Sequence, residues 1–258
     1  MLTPPCYVIS DVHLGHAPEP IERALLSFLR SLPGRAGSLL INGDLFEFWF
    51  EWKTVVPRSG VRVLAALMDL RDAGIPMTML AGNHDCWGGD FLREAGVNFG
   101  FGPLDGVVGG WRAHVEHGDG LREKEDRGYR ALRRVLRNRT AIRAFGSILH
   151  PDFASRLAMG SSHTSRTYTS RDQGRGLRTV ASSMLDENPS LELVVFGHSH
   201  VASLERLSGG VYGNAGSWLD RPTYLVATPS DISLRVWDGS PEGANLHTLQ
   251  RVAKEALP

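Results

Sequence analysis

An α/β fold of two packed β-sheets flanked by helices, with an inserted helical cap, is the architecture this sequence predicts. Early apolar, β-prone runs alternate with helix-like spacing, whereas the late runs follow one another as strand pairs. The stretch 121–187 interrupts both patterns with helical periodicity. A chain of 258 residues, 42% of them hydrophobic, can bury one substantial core. We therefore read 1–258 as a single domain and 121–187 as a cap inserted within it.

The elements follow in order. Tyr7-Val8-Ile9 is a short buried strand, and Ile21, Leu25, Phe28, Leu29 and Leu32 recur at helical spacing. Leu39-Leu40-Ile41 is the next strand, and 61–70 is a helix stopped by Gly74 and Pro76. Strands follow at 77–80, 113–116 and 191–196. The last third holds short β segments at 202–207, 211–212, 223–227 and 232–237. In the last of these Ile232, Leu234 and Val236 alternate with polar residues, the pattern of a half-exposed strand. Within the insert, Arg130, Arg133, Arg134 and Arg137 fall at i, i+3, i+4 and i+7 and share one helix face. The serine-rich run at 161–165 is expected to break the helices.

No apolar stretch is long enough to span a membrane, and the first residues lack the basic and apolar regions of a secretory signal. Two cysteines, Cys6 and Cys86, do not form a disulfide framework and fit a reducing cytosol. The net charge of zero conceals a division. Residues 121–185 carry 14 Lys+Arg against 5 Asp+Glu, and the remainder carries the opposite excess. An acidic body suits cations and a basic insert suits an anionic ligand.

Five short motifs follow β-prone runs: Asp11-Val12-His13, Gly43-Asp44, Gly82-Asn83-His84-Asp85, His117-Gly118-Asp119 and Gly197-His198-Ser199-His200. They supply carboxylate, imidazole and amide oxygen in the mixture that holds two divalent cations side by side and hydrolyses phosphate esters. Asp11 and His13, two apart on extended chain, can grip one ion, and Asp44 is the candidate bridge. The expected ligands of metal one are Asp11, His13, Asp44 and His200; those of metal two are Asp44, Asn83, His117 and His198. Asp85 is expected to orient the loop or a histidine, and Asp119 either supports the site or makes a turn.

These motifs resemble those of the calcineurin-like metallophosphoesterases over nearly the whole chain. The resemblance implies a four-layered αββα sandwich of two mixed sheets with flanking helices, and a dinuclear Mn, Fe or Zn centre. It also implies in-line attack on phosphorus by a metal-held hydroxide, with His84 as the acid or phosphate-stabilising residue.

Three features bear on the ester. Aromatic residues crowd the run Phe46-Glu47-Phe48-Trp49-Phe50-Glu51-Trp52, and Phe46 and Trp49 are candidates for an apolar wall. The insert is basic, and a Gly-rich turn, 212–218, follows the last ligands. Together with Ser10-Asp11-Val12-His13-Leu14-Gly15 and Gly43-Asp44-Leu45-Phe46-Glu47-Phe48-Trp49, they resemble one branch, the UDP-2,3-diacylglucosamine hydrolases of lipid A synthesis. The resemblance extends to Tyr129, Arg130, Arg133 and Arg134 and to the serines near Ser161 and Ser165. It implies Mn(2+), release of UMP and an acylated sugar 1-phosphate, acyl chains held by the cap, and substrate contacts from Tyr129, Arg130, Arg133, Arg134, Ser161 and Ser165; Arg137, on the same arginine face, is a further candidate. One position departs: the branch commonly carries Arg where this chain has His84, the choice of the wider family.

Two other readings stand beside this one. One is a general phosphomonoesterase or phosphodiesterase acting on a soluble, nucleotide-like ester. The other is a non-catalytic scaffold on the same fold. No nucleic-acid recognition motif accompanies the basic insert. The expected setting is cytoplasmic, with peripheral contact at the inner face of the cytoplasmic membrane.

Overall fold

The computed structural model describes residues 1–122, 126–156 and 172–252. Ser161 and Ser165 lie outside them. The chain runs through β1 (Cys6–Ile9), α1 (Glu19–Arg30), β2 (Ser38–Asn42), α2 (Val61–Asp72), β3 (Met77–Leu80), α3 (Asp90–Glu94) and β4 (Val97–Gly100). Next come β5 (Leu104–Val108), β6 (Trp111–Val115), α4 (Arg127–Leu136), α5 (Arg139–Ile148) and α6 (Arg175–Glu187). The last six strands are β7 (Leu193–Phe196), β8 (Ser203–Leu207), β9 (Gly210–Asn214), β10 (Thr223–Ala227), β11 (Asp231–Val236) and, closing the sheet edge, β12 (Ala244–Gln250).

Seven strands form one sheet in the order β12-β11-β10-β1-β2-β3-β4, and five form the other in the order β5-β6-β7-β9-β8. Both are mixed. Strands β1 to β4 run parallel, and β10 joins β1 antiparallel with Tyr7 opposite Val226. In the second sheet β6, β7 and β9 are parallel, while β5 and β8 pair antiparallel at the edges.

Side-chain alternation assembles the layers. In β1, Tyr7 and Ile9 face the helix side, packing with Leu25, Phe28 and Leu67, while Cys6 and Val8 face the other sheet. In β7 the parity is repeated: Leu193 and Val195 enter the core between the sheets, whereas Val194 and Phe196 pack on Leu177, Ala181 and Leu185 of α6. Strands buried on both faces read as unbroken apolar runs. The result is helix, sheet, sheet, helix: the four-layered sandwich. Helix α1 carries Glu19 and Glu22 in its first turn and Arg30 in its last, each charge placed to complement the helix dipole.

The insert divides in two. Helices α4 and α5 and a helical run at 151–156 are described elements of the stretch expected to form the cap. Helix α6, inside the predicted boundary of 187, lies on the second sheet and supplies its outer layer. Both cysteines are buried and free. Among the described residues no helix is long and apolar enough to cross a membrane.

Candidate metal centre

The predicted ligands converge because their loops leave the C-terminal ends of parallel strands. Asp11 and His13 follow β1, Asp44 follows β2, Asn83 follows β3, His117 follows β6, and His198 and His200 follow β7. Close passage of these loops requires missing side chains. A Cβ on Gly82 would lie 2.0 Å from Asp44 Oδ1, and one on Gly43, whose φ is +81°, would lie 2.4 Å from His117 Nδ1. Asp11, His13, Asp44, His198 and His200 all adopt positive φ, between 53° and 61°. Each such residue costs on the order of 1 kcal/mol or more, and strain concentrated this way marks a functional site.

Ligating atoms lie within 4.8 Å of one another in three overlapping groups: Asp11, His13, His200; His13, Asp44, His84; and Asp11, Asp44, His117. His13 Nε2 and His200 Nε2 are 3.2 Å apart, and His200 Nε2 lies 3.3 Å from Asp11 Oδ1. Asp44 Oδ2 is 3.2 Å from His117 Nε2 and 4.0 Å from His13 Nε2, so one carboxylate faces both halves of the cluster. His198 Nδ1 meets Asn83 Oδ1 at 2.9 Å. About 3 Å is the separation of neighbouring ligands around an ion with bonds of about 2.1 Å. His117 Nε2 is buried and makes no hydrogen bond among the described residues, though the carboxylate is so near. Nitrogen and oxygen atoms gathered this closely fit divalent cations.

The electrostatics agree. Burial alone would raise the Asp44 carboxyl, but His117, His84 and His13 around it hold it well below the usual carboxylate range. Burial would likewise lower His117, and Asp44 overcomes that, raising it well above the ordinary histidine value. His198 is pushed down to about 4 by burial and by His117, so it presents a neutral, ligating ring. Protons and cations compete for this cluster.

His84 sits at the edge of this cluster, grouped with His13 and Asp44. Its backbone N–H donates to Asp44 Oδ1 at 3.0 Å, and its Nδ1 lies 3.2 Å from the carbonyl of Glu47. Its Nε2 is 4.0 Å from Asp44 Oδ2, on the rim of the cluster. Asp85 accepts N–H bonds from Gly82, Asp44 and Phe46 at 2.9, 3.2 and 3.3 Å, stitching the loop after β3 to the loop after β2. Burial, then the Asp44 charge, push its pKa up to about 7.

Two buried residues near the ligands were not singled out from sequence. Asn42, the last residue of β2, accepts from His117 Nδ1 through its carbonyl at 2.8 Å and donates Nδ2 to Glu116 O at 3.1 Å. Glu47 meets His13 Nδ1 at 2.9 Å. The only sequence signal for Glu47 is an acid set in an aromatic run three residues after Asp44. Asn42 gives none beyond its place at a strand end.

The expected aromatic wall is corrected. Phe46 and Trp49 are fully buried, with ring centroids 4.4 Å apart, inside the core under α2. The cause is a strand-like pairing: Phe46 bridges Leu14, and Glu47 N–H donates to Leu14 O. On such backbone Phe46 turns into the core and Glu47 turns the other way. The ring that reaches the cap is Phe50, 5.1 Å from Phe145 of α5, with Trp87 stacked on Phe145 at 5.9 Å.

The single arginine face is also corrected. Arg133 and Arg137 turn inward: Arg133 Nη1 donates to Asp119 O at 2.8 Å, its Nη2 pairs with Glu116 Oε1 at 3.2 Å, and Arg137 Nη2 lies 3.5 Å from Asp119 Oδ2. Tyr129 points the same way, while Arg130 and Arg134 are exposed. Asp119 is thus the anchor of the cap helix, and no simple turn residue.

Comparison with known proteins fits this geometry. The profile of the family described as Calcineurin-like phosphoesterase matches residues 4–202. The chain is 30% identical over 217 residues to a protein of Porphyromonas gingivalis named UDP-2,3-diacylglucosamine hydrolase, covering 76% of this chain and 82% of that one. Proteins of the same name from Stutzerimonas stutzeri and Pseudomonas savastanoi pv. phaseolicola are 31% and 27% identical. They cover 75% and 91% of this chain, and 80% and 96% of their own lengths. With the strand-end cluster and the four-layered sandwich, these matches show that the chain belongs to the calcineurin-like phosphoesterase family and is a metal-dependent phosphoesterase.

Proposed function

We propose that this phosphoesterase hydrolyses the pyrophosphate of a UDP-linked diacylated sugar, releasing UMP and the acylated sugar 1-phosphate. The relatives named for UDP-2,3-diacylglucosamine support the substrate class, since they match this chain over most of their length. The observation that carries the chemistry is the cluster of Asp11, His13, Asp44, His117 and His200 at the ends of strands from both sheets.

In this reading Asp11, His13, Asp44 and His200 hold one divalent ion, and Asp44, Asn83, His117 and His198 hold the other, with Mn(2+) as the proposed metal. When bound, the ions supply Lewis acidity and a nucleophile at neutral pH. The chain's own groups do the rest. Asp44 faces both ion positions. His84, fixed through Nδ1 by the Glu47 carbonyl, presents Nε2 to the phosphoryl group and in its protonated form donates to an oxygen of it. Arg130 and Arg134, exposed on α4, are cap cations that can meet substrate phosphate. Exposed Leu132, Val135, Ile148 and Phe153 give the cap an apolar surface for acyl chains and for peripheral contact with the inner membrane face.

A specific observation favours a second reading. His84 stands where the lipid-sugar branch commonly carries Arg, and Arg133 and Arg137 are already engaged by Asp119 and Glu116. Fewer cations then remain for a pyrophosphate, as suits a smaller, soluble ester. Assay of Mn-loaded protein with UDP-2,3-diacylglucosamine beside an aryl phosphodiester separates the two. Rapid UMP release with little turnover of the aryl ester is expected. Aryl ester cleavage without UMP release would sink the lipid substrate and leave the metal chemistry standing.

A further inference from the structure

We propose that Glu47 is a positioning residue whose carboxylate sets the tautomer of His13 and so creates the first metal position. The inference rests on the two-ion assignment above but not on the identity of the ester.

The placement of Glu47 is built into the backbone. Leu14 N–H donates to Leu45 O at 2.9 Å and Glu47 N–H donates to Leu14 O at 3.0 Å, so residues 44–47 run beside residues 11–14. This pairing carries the Glu47 side chain to His13. Glu47 Oε2 lies 2.9 Å from His13 Nδ1, and both side chains are buried, at 4% and 0% exposure. A carboxylate accepts and does not donate when ionised, so the imidazole proton is held on Nδ1. Nε2 is left with its lone pair, and Nε2 is the atom aimed at His200 and Asp44. A metal-ligating nitrogen must be unprotonated. Without its acceptor, His13 would place its proton on either nitrogen, and protonation of Nε2 would close the first position.

The same residue reaches a second histidine by a different acceptor. His84 Nδ1 lies 3.2 Å from the backbone carbonyl of Glu47 and 3.9 Å from its Oε1. The His13 and His84 rings meet edge to face with centroids 4.9 Å apart. One residue therefore fixes two imidazoles, His13 chiefly through its carboxylate and His84 through its carbonyl. A side-chain substitution removes the first restraint and leaves the second in place, which makes the two roles separable.

The test compares wild type, Glu47→Gln and Glu47→Ala, read by Mn(2+) titration and by nitrogen-15 NMR of the histidine rings in the metal-free protein. Gln keeps an acceptor oxygen in the same place and guards against a collapsed fold in the Ala variant. Expected results are an Nδ1-protonated His13 in wild type and a mixed or Nε2-protonated ring in Glu47→Ala. One of the two Mn equivalents should weaken by about 10–100-fold in Glu47→Ala, with Glu47→Gln in between. His84 Nδ1 keeps its carbonyl acceptor, so the His84 tautomer should not change even as the loss of Oε1, 3.9 Å away, shifts its resonances. Two equivalents of wild-type affinity in Glu47→Ala would overturn the proposal. So would equal loss of both, because the carboxylate would then support the whole cluster and not His13. A wild type that takes up fewer than two ions would strike the two-ion assignment, while the His13 tautomer in metal-free protein still decides the role of Glu47.

Discussion

The Tyr129 hydroxyl donates to Asp119 Oδ2 at 2.8 Å, joining the first cap helix to the loop that carries His117. Burial and the Asp119 charge both raise the Tyr129 pKa, so the phenol stays a donor at any working pH. Tyr129→Phe removes one bond to a buried carboxylate and should cost about 1–2 kcal/mol. Asp119→Ala also strands Arg133 and Arg137, which are partly exposed, and should cost about 2–3 kcal/mol. Urea denaturation of both variants checks the order, and equal midpoints would show that the cap is anchored elsewhere.

Separation of the cap arginines gives a kinetic prediction. Arg130→Ala with Arg134→Ala should raise KM by roughly tenfold, the loss of one or two phosphate contacts, with stability within about 0.5 kcal/mol of wild type. Arg133→Ala should lower stability by about 1–3 kcal/mol, because Glu116 and the Asp119 carbonyl lose their donor. Steady-state kinetics beside thermal melts would expose the opposite pattern if substrate pulls Arg133 off Asp119.

The arginine division shows where sequence reading stops. Residues at i, i+3, i+4 and i+7 span about 100° of helix surface, with Arg133 and Arg137 on one flank and Arg130 and Arg134 on the other. Periodicity groups all four; only Asp119, brought there by the sheet, separates them. The convergence of these motifs was legible because each directly follows an apolar run, and a chain of this fold delivers strand ends to one place. Strand β4 was not, since Val97 and Phe99 are its only buried positions and glycines flank it. Strand β5 contains Asp105 and Gly106, and β12 is a mostly exposed edge with no apolar alternation. Phe46 was misread because an aromatic beside a ligand points to a pocket in sequence, while pairing with Leu14 turns it inward.

Gly82 makes a sharp steric prediction. A Cβ there would overlap Asp44 Oδ1, the atom that also receives the His84 N–H. Gly82→Ala should displace the bridging carboxylate and lower kcat/KM by at least about 100-fold, since small misplacements of a catalytic group cost that much. Gly100→Ala is the matched control, as nothing lies within 4 Å of its Cβ position. Metal content measured on both variants distinguishes lost ions from a distorted but loaded site.

His114 gives a pH dependence away from the ligands. Glu116 foremost, and Asp105 at 2.7 Å, raise its pKa above the ordinary value against the effect of burial. A group whose folded pKa is raised stabilises fully below its unfolded value of about 6.5, and that stability is lost as pH rises through the folded value. Wild-type stability should therefore fall from pH 6 upward relative to His114→Gln, whose profile should be flatter. Urea midpoints for both proteins between pH 5 and 9, taken at several points, check the sign; a wild type that gains on the variant with rising pH would refute it.

Asp44 and His84 should fail in different ways, although the backbone of one donates to the carboxylate of the other. Asp44 Oδ2 faces His117 at 3.2 Å and His13 at 4.0 Å, so Asp44→Ala removes the group shared by both ion positions. Neither equivalent should bind with native affinity, and hydrolysis should vanish. His84→Ala removes an imidazole that reaches the rim of the cluster but keeps the N–H that orients Asp44, because that bond comes from the backbone. Metal content should stay at the wild-type level while kcat falls by about 100- to 10,000-fold, the usual worth of a positioned proton donor. Metal analysis of purified His84→Ala decides the role directly. If the variant loses ions together with activity, His84 is a ligand or holds one in place, and the proton-donor assignment fails.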